Sequence, residues 1–153
     1  MRTLALLAAV AGCSYNPGSF SYPTRRFPGQ RTTVGCLDIS VDRRPDMNDS
    51  AVLDYQFGNR CDTPVVVDLV RVPVVGRSAE GAEVALTPFD PGLEMMAMKL
   101  DARQAGGEAI AYPTKQPLVQ VCVDAAAIYA DAGDEKRWLC FGTNRNAIAE
   151  VTP

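Results

Sequence analysis

Apolar and polar residues alternate along this chain in short bursts. Leu37, Ile39 and Val41 are separated by Asp38, Ser40 and Asp42, and Leu53, Tyr55 and Phe57 by Asp54, Gln56 and Gly58. A period of two sends successive side chains to opposite faces, so each run predicts a strand with one buried and one wet face. The polar stretch from Arg43 to Ser50 predicts the loop of a hairpin. Matching the apolar faces pairs Val41 with Leu53, Ile39 with Tyr55 and Leu37 with Phe57. Val65 to Val75 carries valines on both faces and predicts one central strand. Gly76 to Gly81 predicts a turn, and Val84 and Leu86 a strand stopped by Pro88. Asp90-Pro91-Gly92 is a turn signal. Leu93 to Leu100 resumes the strand pattern, with Met96, Met98 and Leu100 on one face. Gly106-Gly107 predicts a turn before a short strand, Ala109 to Tyr112.

The last hairpin is the best defined. Val119, Val121 and Val123 alternate with Gln120, Cys122 and Asp124, and Trp138 to Gly142 reads as the returning strand. Placing Cys122 opposite Cys140 sets Val123 against Leu139 and Val121 against Phe141, so one register joins sulfurs on one face and apolar pairs on the other. Between these strands, 125–132 suits a short helix with Asp124 as N-cap and Gly133 just past its end. About seven short strands with turns between them predict an all-β fold, an immunoglobulin-like antiparallel β-sandwich over 34–150, with a small β-barrel as the alternative. The tryptophan between sheet-joining cysteines that marks antibody domains is absent.

Four cysteines follow residue 13: Cys36, Cys61, Cys122 and Cys140. They permit three pairings. The register of the last hairpin favours Cys122–Cys140 and leaves Cys36–Cys61, whose members lie near the two ends of the first hairpin. The chain has no CxxC pair, so a four-thiolate zinc site is not expected.

The first residues follow a different pattern. Arg2 precedes an apolar run, Leu4 to Val10, and then Ala11-Gly12-Cys13. A basic start, a short apolar core and small residues at the exit compose a secretory signal, and the run is too short to span a bilayer. Val10-Ala11-Gly12-Cys13 resembles the lipobox of bacterial lipoproteins. That resemblance implies a signal peptide over 1–12, cleavage before Cys13, and attachment there of a diacylglyceryl group and a further acyl chain such as palmitate. It implies a membrane anchor in the cell envelope, with disulfides formed in the periplasm or at the surface. Ser14, where an aspartate would retain the protein at the inner membrane in the well-studied Gram-negative pattern, points to the outer membrane.

Composition narrows the chemistry. Without residues 1–12 the chain keeps 141 of its 153 residues, and its 14 lysines and arginines (15 less Arg2) face 18 acidic residues, a side-chain sum of −4. That balance speaks against nucleic acid as a partner. There is no histidine, which removes Ser-His-Asp and Cys-His catalysis and histidine-ligated metals.

Residues 13–33 read as a lipidated terminus and flexible tether. The segment 14–33 is rich in proline, glycine and hydroxyl residues, has no hydrophobic period, and would average about 25 Å end to end. Arg25, Arg26 and Arg31 lie there among Tyr15, Phe20, Tyr22 and Phe27, with no acid before Asp38. Such a set suits anionic headgroups or an acidic envelope polymer. Three arginines are few, and a basic solvated linker is the simpler account.

Three further groups carry weaker signals. Asp42, Asp46 and Asp49 beside Asn48 lack the spacing of a calcium loop and are opposed by Arg43 and Arg44. Asp124, Asp131, Asp134 and Glu135 supply carboxylates that a glycan-cleaving enzyme could use, but nothing sets them across a cleft. Met95, Met96 and Met98 suit core filling. The expectation is therefore a lipid-anchored envelope protein without catalytic residues, cofactor or metal, binding or supporting an unidentified envelope protein or polymer. A carboxylate enzyme acting on an envelope glycan is the alternative.

Overall fold

In the computed structural model, which describes residues 14–47, 49–89 and 97–143, the first alternating runs form the longest pair of strands. These are β2 (Leu37–Met47) and β3 (Ser50–Asn59). Ahead of them, β1 (Gln30–Val34) folds back on β2, and β8 (Ala105–Pro113) pairs with the far side of β3, giving a sheet ordered β1-β2-β3-β8. A second sheet, ordered β10-β9-β5-β6, contains β5 (Val74–Arg77), β6 (Glu83–Leu86), β9 (Gln120–Asp124) and β10 (Trp138–Gly142). The short strands β4 (Val65–Asp68) and β7 (Ala97–Leu100) form a separate antiparallel pair.

Among the described residues every strand pairing is antiparallel, and one apolar cluster draws on both larger sheets. Leu37, Ile39, Val41, Leu53, Tyr55, Phe57 and Ile110 come from one; Val74, Val121, Val123, Leu139 and Phe141 come from the other. This is a β-sandwich, not a closed barrel. Among the described residues its helical part is two 3₁₀ turns, Ala125–Ile128 and Ala130–Ala132. The Asp124 carboxylate caps the first by accepting from the Ala126 N–H, and Gly133 follows the second at φ +66°.

The last hairpin has the register the alternation predicts: Cys122 faces Cys140, Val123 faces Leu139 and Val121 faces Phe141. The first hairpin does not. Val41 pairs with Tyr55 and Ile39 with Phe57, two residues away from the predicted match. The stretch Arg43 to Ser50 is mostly strand, not loop, with an irregularity between Arg44 and Met47 and a tight turn at Asp49 (φ +56°). A slip of two residues keeps every side chain on its predicted face, so hydrophobic matching could not detect it.

Two more expectations are corrected. Val65 to Val75 is not one strand. The Asp68 carboxylate takes the Val70 N–H and bends the chain, so β4 and β5 join different sheets. Gly106-Gly107 is not a turn but lies inside β8, opposite Phe57 and Gln56. A Cβ on Gly106 would meet Met98 Sδ at 2.7 Å, and one on Gly107 the Gln56 side chain at 2.6 Å. These glycines allow close packing. The predicted turn at Asp90-Pro91-Gly92, the strand start at Leu93 with Met95 and Met96, and the domain's final residues lie outside the described residues.

The largest correction concerns the tether. Residues 14–33 are built into the sandwich: Tyr15 and Phe27 are buried, and β1 begins at Gln30. The domain therefore starts almost twenty residues before Val34. The segment lies across the outer face of β2 and β3, which is why Asp38 and Ser40, predicted to face water, have no exposed surface.

Candidate functional site

The segment ahead of β1 is a chain of turns. Ser19 N–H donates to the Asn16 carbonyl at 3.1 Å, with Gly18 at φ +76°. Phe20 to Phe27 then forms a small hairpin, closed by Phe27 N–H to the Phe20 carbonyl at 2.8 Å and Tyr22 N–H to the Arg25 carbonyl at 2.9 Å. At Gly29 (φ +81°) the chain crosses β2 so closely that a Cβ would meet the Val41 carbonyl oxygen at 2.0 Å. No apolar period marks this segment because it is held by individual contacts.

Asp38 is the chief of these. Its carboxylate accepts the Tyr15 hydroxyl at 2.7 Å, the Gly18 N–H at 2.6 Å and the Thr33 hydroxyl at 2.7 Å, and Arg60 Nε approaches to 3.6 Å. Ser40 donates to the Pro28 carbonyl. The Tyr15 ring stacks on Phe27 at 5.9 Å and fills the space above Gly58, where a Cβ would meet it at 2.1 Å. Tyr15 N–H donates to the Arg103 carbonyl at 2.6 Å. Burial, reinforced by the Asp38 charge, pushes the Tyr15 phenol well above its ordinary value. Burying Phe27 alone contributes roughly 1.5–3 kcal/mol.

The same end of the molecule carries the Cys36–Cys61 disulfide, with Cα atoms 5.4 Å apart, and Arg103 N–H donates to the Cys61 carbonyl at 3.3 Å. The structure joins Cys122 to Cys140 across β9 and β10, with Cα atoms 4.1 Å apart. Cys13 lies outside the described residues; Tyr15, two positions later, is buried.

The arginines of this segment, like Arg71, have no ion pair among the described residues, unlike the rest. Arg43, Arg44, Arg60, Arg77, Arg103 and Arg137 each face a carboxylate. Arg25 and Arg26 are exposed and have no ion pair among the described residues. With Tyr22, Arg44, Asp54 and Gln56 they line a cavity of about 90 Å³. Arg31 donates to the Phe27 carbonyl at 2.9 Å and lies over the Phe20 ring at 5.6 Å. The acids on this side are Asp38, met by Arg60, Asp54, taken by Arg44, and Asp42, the partner of Asp54 across β2 and β3.

The remaining predicted groups are dispersed. Arg43 is buried and holds Asp46 while donating to the Phe141 and Leu118 carbonyls, and Asp49 makes the hairpin turn. Asp124 is committed to the Ala126 and Arg137 N–H groups, and Glu135 to Arg137. Asp131 and Asp134 are exposed. Met98 packs beside the core. A larger cavity of about 660 Å³, lined by Asp46, Asp49, Ser50 and Thr114 to Pro117, lies at the hairpin end of β2 and β3.

No protein-family model matches this chain, and no curated protein matches it. Crystal structures that resemble it in shape include the following two. One is the yjhA protein from Bacillus subtilis, at 10% identity over 76% of this chain and 97% of that one, with a TM-score of 0.50. The other, from Bacillus subtilis subsp. subtilis str. 168, is described as a "putative lipoprotein (ycdA)". It is 13% identical over 80% of this chain and 41% of its own length, with a TM-score of 0.46. The likeness to yjhA is one of fold alone, and that to ycdA is too loose to bear on fold or function.

Sequence reasoning missed Tyr15 and Asp38. The available signal was glycine: Gly58 interrupts the outward face of a strand, and glycine inside a strand marks close approach by another part of the chain.

Proposed function

We propose that this chain is a lipid-anchored, non-enzymatic module of the bacterial cell envelope, seated directly on the membrane at the outer-membrane surface. The observation that supports the seating is the burial of Tyr15 two residues after the lipobox cysteine. Two extended residues reach about 7 Å, so a lipid on Cys13 would hold the sandwich against the bilayer rather than on a long leash. Several acyl chains, at about 0.8 kcal/mol per buried methylene, would make the attachment durable. Anchoring confines the domain to a thin layer and raises its effective concentration toward any envelope partner there. The two disulfides suit an oxidising compartment.

Metabolic labelling with a fatty acid tests the anchor. Wild-type protein is expected to take up label and fractionate with membranes, and Cys13→Ser to lose both. Equal labelling of the two, or an unlabelled wild-type protein, would contradict the proposal.

A further inference from the structure

We propose that Arg25 and Arg26 form a contact for the anionic phosphate headgroups of the bilayer that holds the Cys13 lipid. This rests on the anchored reading above. Both arginines are exposed, as is Arg31, and neither has an acidic partner among the described residues. Five arginines, Arg25, Arg26, Arg31, Arg44 and Arg60, share this face with three acids, Asp38, Asp42 and Asp54, on a protein whose mature chain is acidic overall. The local charge opposes the global one, so net charge does not explain it.

Position supplies the second part of the argument. On a flexible tether these arginines would sample a wide volume. In the folded segment Arg26 precedes Phe27, whose ring stacks on Tyr15 at 5.9 Å, and Tyr15 is two residues from Cys13. The hairpin that carries them is closed by its own hydrogen bonds and rests on Asp38 and Ser40 through its flanks. The arginines are thus held in place on the same face of the sandwich as Tyr15, the residue two positions from the lipid attachment point. A guanidinium pair matches phosphate oxygens in charge and geometry.

The test uses the mature chain from residue 13 bearing Cys13→Ser, which holds every described residue and no lipid. It is co-sedimented at low ionic strength with vesicles of phosphatidylcholine alone or mixed with phosphatidylglycerol. Binding to the phosphatidylglycerol vesicles is expected, and Arg25→Gln/Arg26→Gln should weaken it about thirty-fold. Neither arginine has an ion pair to lose, so this variant should fold normally, as circular dichroism would verify. Arg71→Gln/Lys136→Gln removes the same charge from exposed positions elsewhere and should leave binding nearly unchanged. Equal weakening by both double variants, no weakening by the first, or equal binding to both vesicle types would overturn the proposal. Tighter binding to soluble polyglutamate than to the anionic vesicles would overturn it in favour of an acidic polymer. Because the chain tested is unacylated, failure here is distinct from failure of Cys13 labelling.

Discussion

Asp38, which has no exposed surface, joins the N-terminal segment to the sandwich. Its carboxylate meets the Tyr15 hydroxyl, the Gly18 N–H and the Thr33 hydroxyl, with Arg60 alongside. Asp38→Ala leaves the buried Tyr15 hydroxyl without its acceptor, at about 1–3 kcal/mol, and removes the part-buried bonds from the Gly18 N–H and the Thr33 hydroxyl, at about 0.5–1.5 kcal/mol each. The expected loss is about 3–5 kcal/mol in denaturant unfolding, and a loss below about 1 kcal/mol would show that the segment is not held this way. In sequence, Asp38 looks like any polar residue on a wet strand face. Periodicity reports which side of a strand a residue occupies, not what lies above it. Tyr15 was illegible for the matching reason: the Asp38 that accepts its hydroxyl lies 23 residues away and Arg103, which accepts its N–H, further still.

Two phenols provide an independent reading at the same scale. Burial raises the Tyr55 value, reinforced by the Tyr112 hydroxyl 2.8 Å away, and burial with Asp38 raises that of Tyr15. A free tyrosine ionises near pH 10. With folded values above the unfolded one, the neutral phenols contribute stability that is whole below about pH 10 and declines as pH rises toward the folded values. Phenolate absorbance is expected to grow in two phases, with Tyr15 and Tyr55 ionising only as near-ultraviolet dichroism is lost. Ionisation of all five tyrosines in one step, with the fold intact, would contradict the burial assigned to these two.

Among the elements, β9 and β10 were readable because two independent patterns agree on one register. The valine alternation and the cysteine positions both demand Cys122 opposite Cys140, and any slip would break one of them. For β2 and β3 only the alternation was available, and it is blind to a shift of two. Gly106-Gly107 misled for a different reason. Glycine marks both turns and tight packing, and the neighbour that decides between them, Met98, comes from β7. The bridge across β9 and β10 closes a separation of 18 residues in the chain. Replacing both cysteines by serine should cost about 2–5 kcal/mol, measured as a lowered denaturant midpoint, while mapping under non-reducing conditions still links Cys36 to Cys61. A midpoint unchanged from wild type would show that this bridge does not stabilise the sandwich.

At the scale of the whole molecule, the all-β architecture followed from alternation and turn residues, whereas the position of the domain relative to its anchor did not. The polar, proline-rich composition of 14–33 matches that of a linker. Only the structure reveals that it covers the outer face of the first sheet and carries Tyr15, Phe27, Arg25 and Arg26 there. The central claim is that this segment belongs to the folded domain. Amide hydrogen exchange tests it most directly, through the Tyr15 N–H bonded to the Arg103 carbonyl and the Gly18 N–H bonded to Asp38. The account predicts protection at both positions comparable to that of the central amides of β2. Exchange at the rate of an unstructured peptide, with β2 still protected, would contradict it and return residues 14–29 to the status of a tether.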